Sequence, residues 1–251
     1  MTETCFVYPS CFIFGLLIGS FLNVCIYRIP KKEDITTTRS HCMACGNVIK
    51  WYDLIPVLSF LLLRGKCRNC GAKLSIQYPI IELLNGILYC VIFAVQGLNV
   101  QSVLMMGLTS ALIVITVIDW RTYEIPFGLN VFLACIGLAS LIFDYENWLD
   151  HVIGMLCVSG FLLMLYLVTK GRGIGGGDIK LMAAAGLFLG WKRCILAFVI
   201  GCILGSFIHL IRMKVSSEDH VLAFGPYLSA GIFIACLWGD ALVDAYLGML
   251  S

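Results

Sequence analysis

The sequence contains few charged residues. They make up 13% of its 251 residues, about half the fraction that is usual in a soluble domain. The formal net charge is only +2, which is too small to imply a polyanionic partner. Apolar residues make up 60% of the chain, far more than a disordered segment contains. The composition therefore excludes a soluble globular enzyme, a disordered chain and a nucleic-acid binder that works by charge.

The sequence also lacks an internal repeat, a low-complexity tract and a phosphate-binding Walker motif. Residues 1–10 contain no Lys or Arg, and no small-residue cleavage site follows the first apolar run. A cleaved signal peptide would have basic residues near its start and a small-residue cleavage site after its apolar run. We therefore expect the first apolar segment to be retained as a helix.

Long apolar runs recur along the chain, and most of them are long enough to cross a bilayer as a helix. We predict an all-α polytopic membrane protein with about eight transmembrane helices. The predicted segments are 11–29, 79–97, 101–118, 126–143, 151–168, 179–191, 194–211 and 222–246. The sixth is short, so we expect it to be tilted or to begin inside a protein-lined pocket.

The basic residues set the predicted orientation. If residues 30–78 face the cytoplasm, the alternation of segments places all of the 17 Lys and Arg residues on that side except Lys192 and Arg193. Cytoplasmic loops carry such an excess of basic residues. We therefore predict that both termini lie outside. The apolar run 54–63 within this loop is too short to cross the membrane, so it packs the loop or rests on the bilayer surface.

Four of the 13 cysteines form two close pairs in the 30–78 loop. Each pair has the spacing Cys-x-x-Cys and precedes a glycine; the pairs are Cys42 with Cys45 and Cys67 with Cys70. This is the spacing of a zinc knuckle, and two knuckles complete a tetrahedral thiolate site with no open position. Disulfides are disfavoured in the cytoplasm. We predict a structural Zn²⁺ site in a small cytoplasmic domain; free or redox-active thiols are the alternative.

Two aspartates lie at the ends of predicted membrane segments rather than within polar loops. Asp119 ends the third segment, and Asp178 follows a glycine-rich stretch just before the sixth. The two crossings between them form a hairpin, so topology returns both carboxylates to the cytoplasmic face. Ionisable residues near bilayer depth are functional candidates.

Paired carboxylates suit aspartic proteolysis, because two that share a site also share a proton. One then activates water while the protonated one polarises the scissile carbonyl. The alternative is that each aspartate caps a helix or pairs with a nearby base, Arg121 or Lys180. Position alone leaves both interpretations open.

Six motifs occur in order along nearly the whole chain. Besides the cysteine pairs, which include Leu63-Arg-Gly-Lys-Cys-Arg-Asn-Cys70, they are Gly19-Ser-Phe-Leu-Asn-Val-Cys-Ile-Tyr-Arg-Ile-Pro30, Gln77-Tyr-Pro-Ile-Ile-Glu-Leu-Leu84, Ile118-Asp-Trp-Arg, Gly175-Gly-Gly-Asp-Ile-Lys180 and Ala223-Phe-Gly-Pro-Tyr-Leu228. Together they resemble the bacterial type IV prepilin peptidases (leader peptidase and N-methyltransferase), which are membrane aspartic proteases of the GxGD type.

This resemblance implies an enzyme of the bacterial cytoplasmic (inner) membrane that acts on type IV prepilins or pseudopilins. Such enzymes remove a basic leader after a glycine and often methylate the new N-terminus with S-adenosyl-L-methionine. The resemblance maps the catalytic pair onto Asp119 and Asp178, and it links Gly19, Asn23 and Glu82 to the methyl donor. The implied partners are the protein substrate and the lipid bilayer, with no nucleic acid.

The resemblance also implies three parts of the chain: a first transmembrane helix (1–29), a cytoplasmic four-cysteine zinc domain (30–78) and a transmembrane aspartic peptidase core (79–251). One position departs from the family pattern, since Phe127 stands where an acid usually follows Ile-Pro, and Glu124 is the nearby acid. The alternatives are a peptidase without methyltransferase activity, a transporter or scaffold with a structural zinc domain, and a thiol-redox membrane protein.

Overall fold

The described part of the chain, residues 2–215 and 222–250 of a computed structural model, is built from helices. The helices are α1 (Thr2–Arg28), α2 (Leu58–Leu62), α3 (Gln77–Gln96), α4 (Val100–Thr122), α5 (Phe127–Phe143), α6 (Trp148–Val168), α7 (Gly176–Leu189), α8 (Trp191–Val215) and α9 (Gly225–Leu250). Two short 3₁₀ turns, Trp51–Leu54 and Tyr145–Asn147, complete the regular structure of these residues.

Each predicted membrane segment corresponds to one of the long helices, which confirms the all-α prediction. Apart from α5 and α7, these long helices have the length and composition to cross a membrane. The main difference at the helix ends is in α1, which begins at Thr2 rather than at residue 11. Helical hydrogen bonding therefore continues beyond the apolar run from which the segment was predicted.

Helix α7 is short, and other helices of the protein surround most of it. It has 14 residues and buries nearly all of those after its first turn, including the run from Ala184 to Leu189. It packs against α5, α6, α8 and α9. A helix that is apolar on all sides is suited to such a central position. Protein therefore surrounds the sixth predicted segment beyond the first turn of α7, whereas Gly175 and Gly176, at the start of that helix, are exposed.

The chain forms two compact units, Met1–Ser102 and Val103–Ser251. In the first unit α1 packs along α3. In the second unit α8 packs along α9, and α7 lies among its neighbours. The division into parts 1–29, 30–78 and 79–251 stays a prediction.

Glycines let α1 and α3 approach each other closely. A Cβ atom on Gly19 would lie 2.7 Å from the Cα of Glu82, and one on Gly15 would lie 2.7 Å from the Cα of Gly86. The side-chain amide of Asn85 donates a hydrogen bond of 2.7 Å to the Gly15 carbonyl. Small residues and interhelical hydrogen bonds are the usual means of packing helices in a membrane. They hold Glu82 between the two helices.

The second unit uses the same means around α7 and α9. A Cβ atom on Gly186 of α7 would overlap the Gly154 carbonyl of α6, and one on Gly231 of α9 would overlap the Ala197 carbonyl of α8. Backbone contact of this kind leaves little freedom for the helices to shift. The first turns of α7 and α9, where Asp178 and Gly225 lie, are therefore held by the packing further along each helix.

Candidate active site and metal centre

The two cysteine pairs of the first unit form hairpins of the same geometry. The Gly46 amide donates to the Cys42 carbonyl at 2.8 Å, and the Gly71 amide donates to the Cys67 carbonyl at 2.9 Å. Both glycines have a φ of +71°, which glycine adopts without the steric penalty of a side chain. An isolated β-bridge flanks each hairpin. The sequence pattern of each pair therefore fixes its own turn.

The four sulfur atoms converge on one point. The Sγ atoms of Cys42, Cys45, Cys67 and Cys70 all lie within 4.8 Å of one another, and those of Cys42 and Cys70 are 3.8 Å apart. Zn–S bonds of about 2.3 Å in a tetrahedron place the sulfurs about 3.8 Å apart. The donor set therefore fits zinc and leaves no ligand position for a substrate. The grouping of these four cysteines is confirmed.

Two arginines hold the remainder of the cysteine loop. Buried Arg28, at the end of α1, donates to the carbonyls of Asp34 at 2.9 Å and Thr38 at 2.8 Å. Arg68 forms a two-pronged ion pair with Asp53, with N–O distances of 2.9 and 2.6 Å. The hydrogen bonds from Arg68 lower the pKa of the Asp53 carboxyl. The loop is thus tied both to α1 and to itself.

A cavity of about 380 Å³ lies between the cysteine loop and the helices α1 and α3. This volume is in the range of small-molecule sites. Asn23 and Glu82 line the cavity, whereas Gly19 is not among its lining residues and packs against Glu82. The Glu82 carboxylate accepts a hydrogen bond of 2.8 Å from the Val57 amide. Two of the three residues linked to the methyl donor therefore reach the cavity.

In the second unit, Asp119 lies in the last turn of α4 with 4% of its surface exposed. A carboxylate at this end of a helix opposes the helix dipole. Its Oδ2 atom instead accepts a hydrogen bond of 2.9 Å from the backbone amide of Gly225, the first residue of α9. A Cβ atom on Gly225 would lie 2.8 Å from that oxygen. The close approach therefore requires glycine at position 225.

Asp178 lies in the first turn of α7 with 9% of its surface exposed. The N-cap position of this helix is occupied by Gly175, and the Asp178 carboxylate accepts a hydrogen bond from the Gly175 backbone amide. Asp178 therefore also takes part in capping its own helix, as the N3 residue of a capping box does. A Cβ atom on Gly175 would lie 3.1 Å from Oδ2 of Asp178, and one on Gly177 would lie 3.0 Å from the Cβ of Ile125. The glycines before Asp178 thus leave room for its carboxylate and for the neighbouring chain.

The two aspartates belong to one site. Gly177, which precedes Asp178, packs against Ile125 of the segment that follows Asp119, and the two carboxyl groups are close enough for a charge on one to affect the other. Their proximity agrees with what topology predicted. The helix-cap interpretation is also correct for one hydrogen bond of Asp119, because its carboxylate accepts a hydrogen bond from the first amide of α9. The ammonium of Lys180 lies 5.2 Å from the centre of the Phe127 ring, a distance suited to a cation–π contact. Phe127 therefore gives this lysine an aromatic neighbour at the position that departs from the family pattern.

Asn130, in the first turns of α5, was not predicted as a site residue. It is 4% exposed, and neither atom of its amide has a hydrogen-bond partner within residues 2–215 and 222–250. Helices α5 and α7 run in the same direction, since Ile125 meets Gly177 and Gly137 meets Ala184. Asn130 therefore lies near the end of α5 that is on the same side of the second unit as the start of α7.

Comparison with known proteins adds to this geometry. Residues 13–96 match the model of the bacterial peptidase A24 N-terminal domain, and residues 106–210 match the model of the type IV leader peptidase family. A Bacillus subtilis (strain 168) protein named prepilin leader peptidase/N-methyltransferase is 33% identical over 241 residues, which cover 95% of this chain and 97% of that protein. This chain belongs to the type IV leader peptidase family.

Other members of the leader peptidase family are similar over comparable lengths. Proteins of the same name from Aeromonas hydrophila and Pseudomonas aeruginosa are 34% and 31% identical to this chain. Each alignment covers 94% of this chain and more than nine-tenths of the relative. No solved structure matches the chain. The family membership confirms the resemblance seen in the motifs.

Gly225, like Asn130, is a residue to which the sequence analysis gave no role in the aspartate site. Its motif, residues 223–228, contributed to the family resemblance only as a pattern. The Gly-Pro step at the start of a predicted helix was a signal that the backbone there is specialised. It did not reveal that the glycine amide meets Asp119.

Proposed function

We propose that this chain is a membrane aspartic endopeptidase that removes the basic leader of type IV prepilins or pseudopilins after a glycine, and that it then methylates the new N-terminal residue. The observation that carries the proposal is the pair of carboxyl groups, Asp119 and Asp178, which are both buried and lie on neighbouring segments of the second unit. The printed names of the relatives, which combine both activities, support it.

In the proposed mechanism, Asp119 and Asp178 share one proton. The ionised carboxylate accepts a proton from water as its oxygen attacks the scissile carbonyl carbon, while the protonated carboxyl donates its proton to the carbonyl oxygen. The C–N bond then breaks: the leaving nitrogen takes up a proton from the carboxyl that accepted it from water, and one hydroxyl of the tetrahedral carbon returns its proton to the other carboxylate, which restores the shared proton. The products are the leader acid and a new amine, and no covalent enzyme intermediate forms.

The position of Asn130 supports an extended peptide as the substrate. A buried amide without partners is unfavourable, and it calls for a ligand or water that takes up its donor and acceptor. A peptide backbone offers one N–H and one C=O per residue. Since Asn130 and Asp178 lie near the starts of two helices that run in the same direction, we assign Asn130 to holding the substrate chain beside the carboxylates.

For the first unit we propose a structural zinc ion on Cys42, Cys45, Cys67 and Cys70, and S-adenosyl-L-methionine in the adjacent cavity. When bound, this molecule supplies the methyl group that the new amine accepts. Asn23 and Glu82 offer it polar groups in the cavity, and Gly19 sets the spacing of the two helices behind Glu82. The cavity volume and the shared family support this assignment.

We further propose that the chain lies in the bacterial cytoplasmic (inner) membrane with both termini outside. The cysteine loop and the aspartate pair then face the cytoplasm. This orientation rests on the excess of Lys and Arg in the loops on that side. It lets the apolar stalk of a prepilin lie in the membrane while its basic leader stays in water.

The test is to incubate detergent-purified full-length protein with a synthetic peptide containing a prepilin leader and stalk, together with S-adenosyl-L-methionine, and to record a mass spectrum. We expect cleavage after the glycine and an added methyl group on the stalk product. A matched peptide with a bulky residue in place of that glycine is the control and should stay intact. A folded, metal-loaded protein that cleaves no leader peptide would contradict the proposal, and cleavage without methylation would limit it to the peptidase.

A further inference from the structure

The cysteine loop contains a short apolar stretch whose outer face has no cover in the first unit. It runs from the 3₁₀ turn Trp51–Leu54 into helix α2, and its side chains at Leu58, Leu61 and Leu62 are 51%, 65% and 73% exposed. These three positions have the i, i+3, i+4 spacing of one helix face. Trp51 is 79% exposed. Large apolar side chains that are exposed together mark an interaction surface.

A hydrogen bond shows the depth of this stretch relative to the membrane. The Val57 amide, which immediately precedes α2, lies 2.8 Å from Oε2 of Glu82. Glu82 lies in α3, which has 20 residues and begins at Gln77. A helix needs about 20 residues to cross the hydrocarbon core of about 30 Å, so α3 must use its whole length. At about 1.5 Å per residue, Glu82 is roughly 7 to 8 Å inside that core.

The contacts of Glu82 with α1 give the same depth for Val57. The backbone of Glu82 packs against Gly19, where a Cβ atom would lie 2.7 Å from the Cα of Glu82. Helix α1 continues from Gly19 to Arg28. This length of helix is more than two turns, or about 13 Å. Val57 therefore lies level with the interior of both helices rather than with their ends. The start of α2 therefore has the cavity on one side, and we expect its other side to meet lipid.

The residues around the stretch have the charge that a lipid surface would attract. Lys50 precedes it, Arg64 and Lys66 follow it, and all three are exposed. Clusters of basic residues beside an apolar segment bind anionic headgroups, while a tryptophan favours the headgroup region. Basic ends and an apolar middle are the features of a helix that lies in the membrane interface.

We propose that α2 (Leu58–Leu62) lies in the membrane interface, inserted into the lipid leaflet on the side of the cysteine loop, with Trp51 in the headgroup region. Leu58, Leu61 and Leu62 contact acyl chains, and the flanking basic residues contact anionic headgroups. The opposite face of the same turn belongs to the protein, because Ser59 and Phe60 line the cavity described above. One short helix therefore separates that cavity from lipid.

The strained backbone at Val57 is consistent with this arrangement. Its φ is +60°, which is rare for a β-branched residue and persists only where the surroundings fix it. The bond to the Glu82 carboxylate is one such constraint. It holds the backbone before α2 against α3, while the leucines of α2 stay exposed.

The test uses a photoreactive benzophenone amino acid placed at position 62 of the full-length, zinc-loaded protein in nanodiscs of mixed phosphatidylglycerol and phosphatidylcholine. Val48 gives the matched control, since it is an aliphatic residue of the same loop with 54% exposure. After irradiation, mass spectrometry counts the lipid adducts at each position. We expect a several-fold higher yield of lipid adducts at position 62 than at position 48.

Each other result would overturn a stated part of the proposal. Equal, low lipid yields at positions 62 and 48 would place α2 in water. A dominant adduct with a second copy of the chain, or with an added prepilin peptide, would make this face a protein-binding surface instead. A lipid yield at position 62 that is unchanged in pure phosphatidylcholine would remove the role of Lys50, Arg64 and Lys66. The experiment needs no catalytic activity, so its outcome is independent of the proposed function.

Discussion

The cysteine cluster and the aspartate pair are assembled in opposite ways. The cysteines come from one loop, and each pair is shaped by hydrogen bonds within its own short turn. Asp119 and Asp178 come from two helices, and Asp119 also takes an amide from a third. The first site is local and partly exposed, whereas the second is buried and depends on how α4, α7 and α9 pack.

Glycine has a different purpose in each site. Gly46 and Gly71 have positive φ, and a Cβ atom on either would meet nothing within 4 Å. They provide a backbone conformation. Gly225 provides space, because its Cβ would collide with the carboxylate of Asp119. The role of glycine in the loop can therefore be predicted from the spacing of the sequence. Its role beside Asp119 becomes visible only from the packing of the helices.

The largest effect is expected from Asp119→Asn and Asp178→Asn. An amide cannot take a proton from water or donate one as an acid, so either change should lower the cleavage rate by about 10²–10⁴-fold or more. The measurement is the rate of leader release by mass spectrometry, with zinc content and thermal unfolding as folding controls. Asp240→Asn is the matched change in the same unit, since Asp240 is an exposed acid paired with Arg193, and it should retain activity. Cleavage at the normal rate by both catalytic variants would refute the dyad.

The next largest loss of cleavage rate is expected from Gly225→Ala. The added methyl group meets the Asp119 carboxylate, and a displacement of about 1 Å in a catalytic group lowers the rate by about 10²-fold. The variant should still bind zinc, because the cysteine loop is part of the other compact unit. Gly128→Ala is the control, since a Cβ atom there meets nothing within 4 Å. Equal rates for the two variants would show that the contact between Asp119 and α9 does not position the carboxylate.

The double change Cys42→Ser with Cys45→Ser should separate the two activities. It removes two of four metal ligands, so we expect loss of zinc by elemental analysis. Cys42 and its neighbour His41 line the cavity, so methylation should be lost, whereas cleavage should fall only a few-fold. Cys135→Ser, an exposed cysteine of α5, should change neither. If cleavage fell as far as methylation, the two sites would not be independent, and the contrast between them would fail.

Much of the fold and of the cysteine cluster could be predicted because the physical signals are local. Apolar runs of membrane length gave the positions of the long helices, and the Cys-x-x-Cys-Gly spacing gave the four ligands. The proximity of Asp119 and Asp178 followed from topology, since two crossings return the chain to the same face. Each of these steps uses only the order and spacing of residues.

Other features could not be predicted because they depend on packing between distant segments. The bond from Gly225 to Asp119 exists only once α9 starts against the end of α4. The contact between Val57 and Glu82 requires the loop to fold back to the depth of α3, and nothing in the apolar run 54–63 distinguishes this from packing within the loop. Asn130 gave no signal either, because a single amide on an apolar helix face fits a buried core position equally well.

The smallest effect is expected from Asp53→Asn, which breaks the ion pair with Arg68 within the cysteine loop. Since Arg68 lowers the pKa of Asp53 below its ordinary value of 3.8, the carboxylate stabilises the fold above that value and loses its effect only as the pH falls through the lowered pKa. The difference from wild type should therefore be constant between about pH 5 and pH 8. Exposed ion pairs contribute little and are screened by salt.

The measurement is the temperature of zinc release, followed with a chelating dye at low and high ionic strength. We expect a shift of a few degrees or less at low salt and a smaller one at high salt. Glu33→Gln removes an exposed acid of the same loop and should change nothing. A shift as large as that caused by losing two cysteine ligands would show that the ion pair, rather than the metal, holds the loop together. The local character of the cysteine site would then depend on contacts beyond its own two turns.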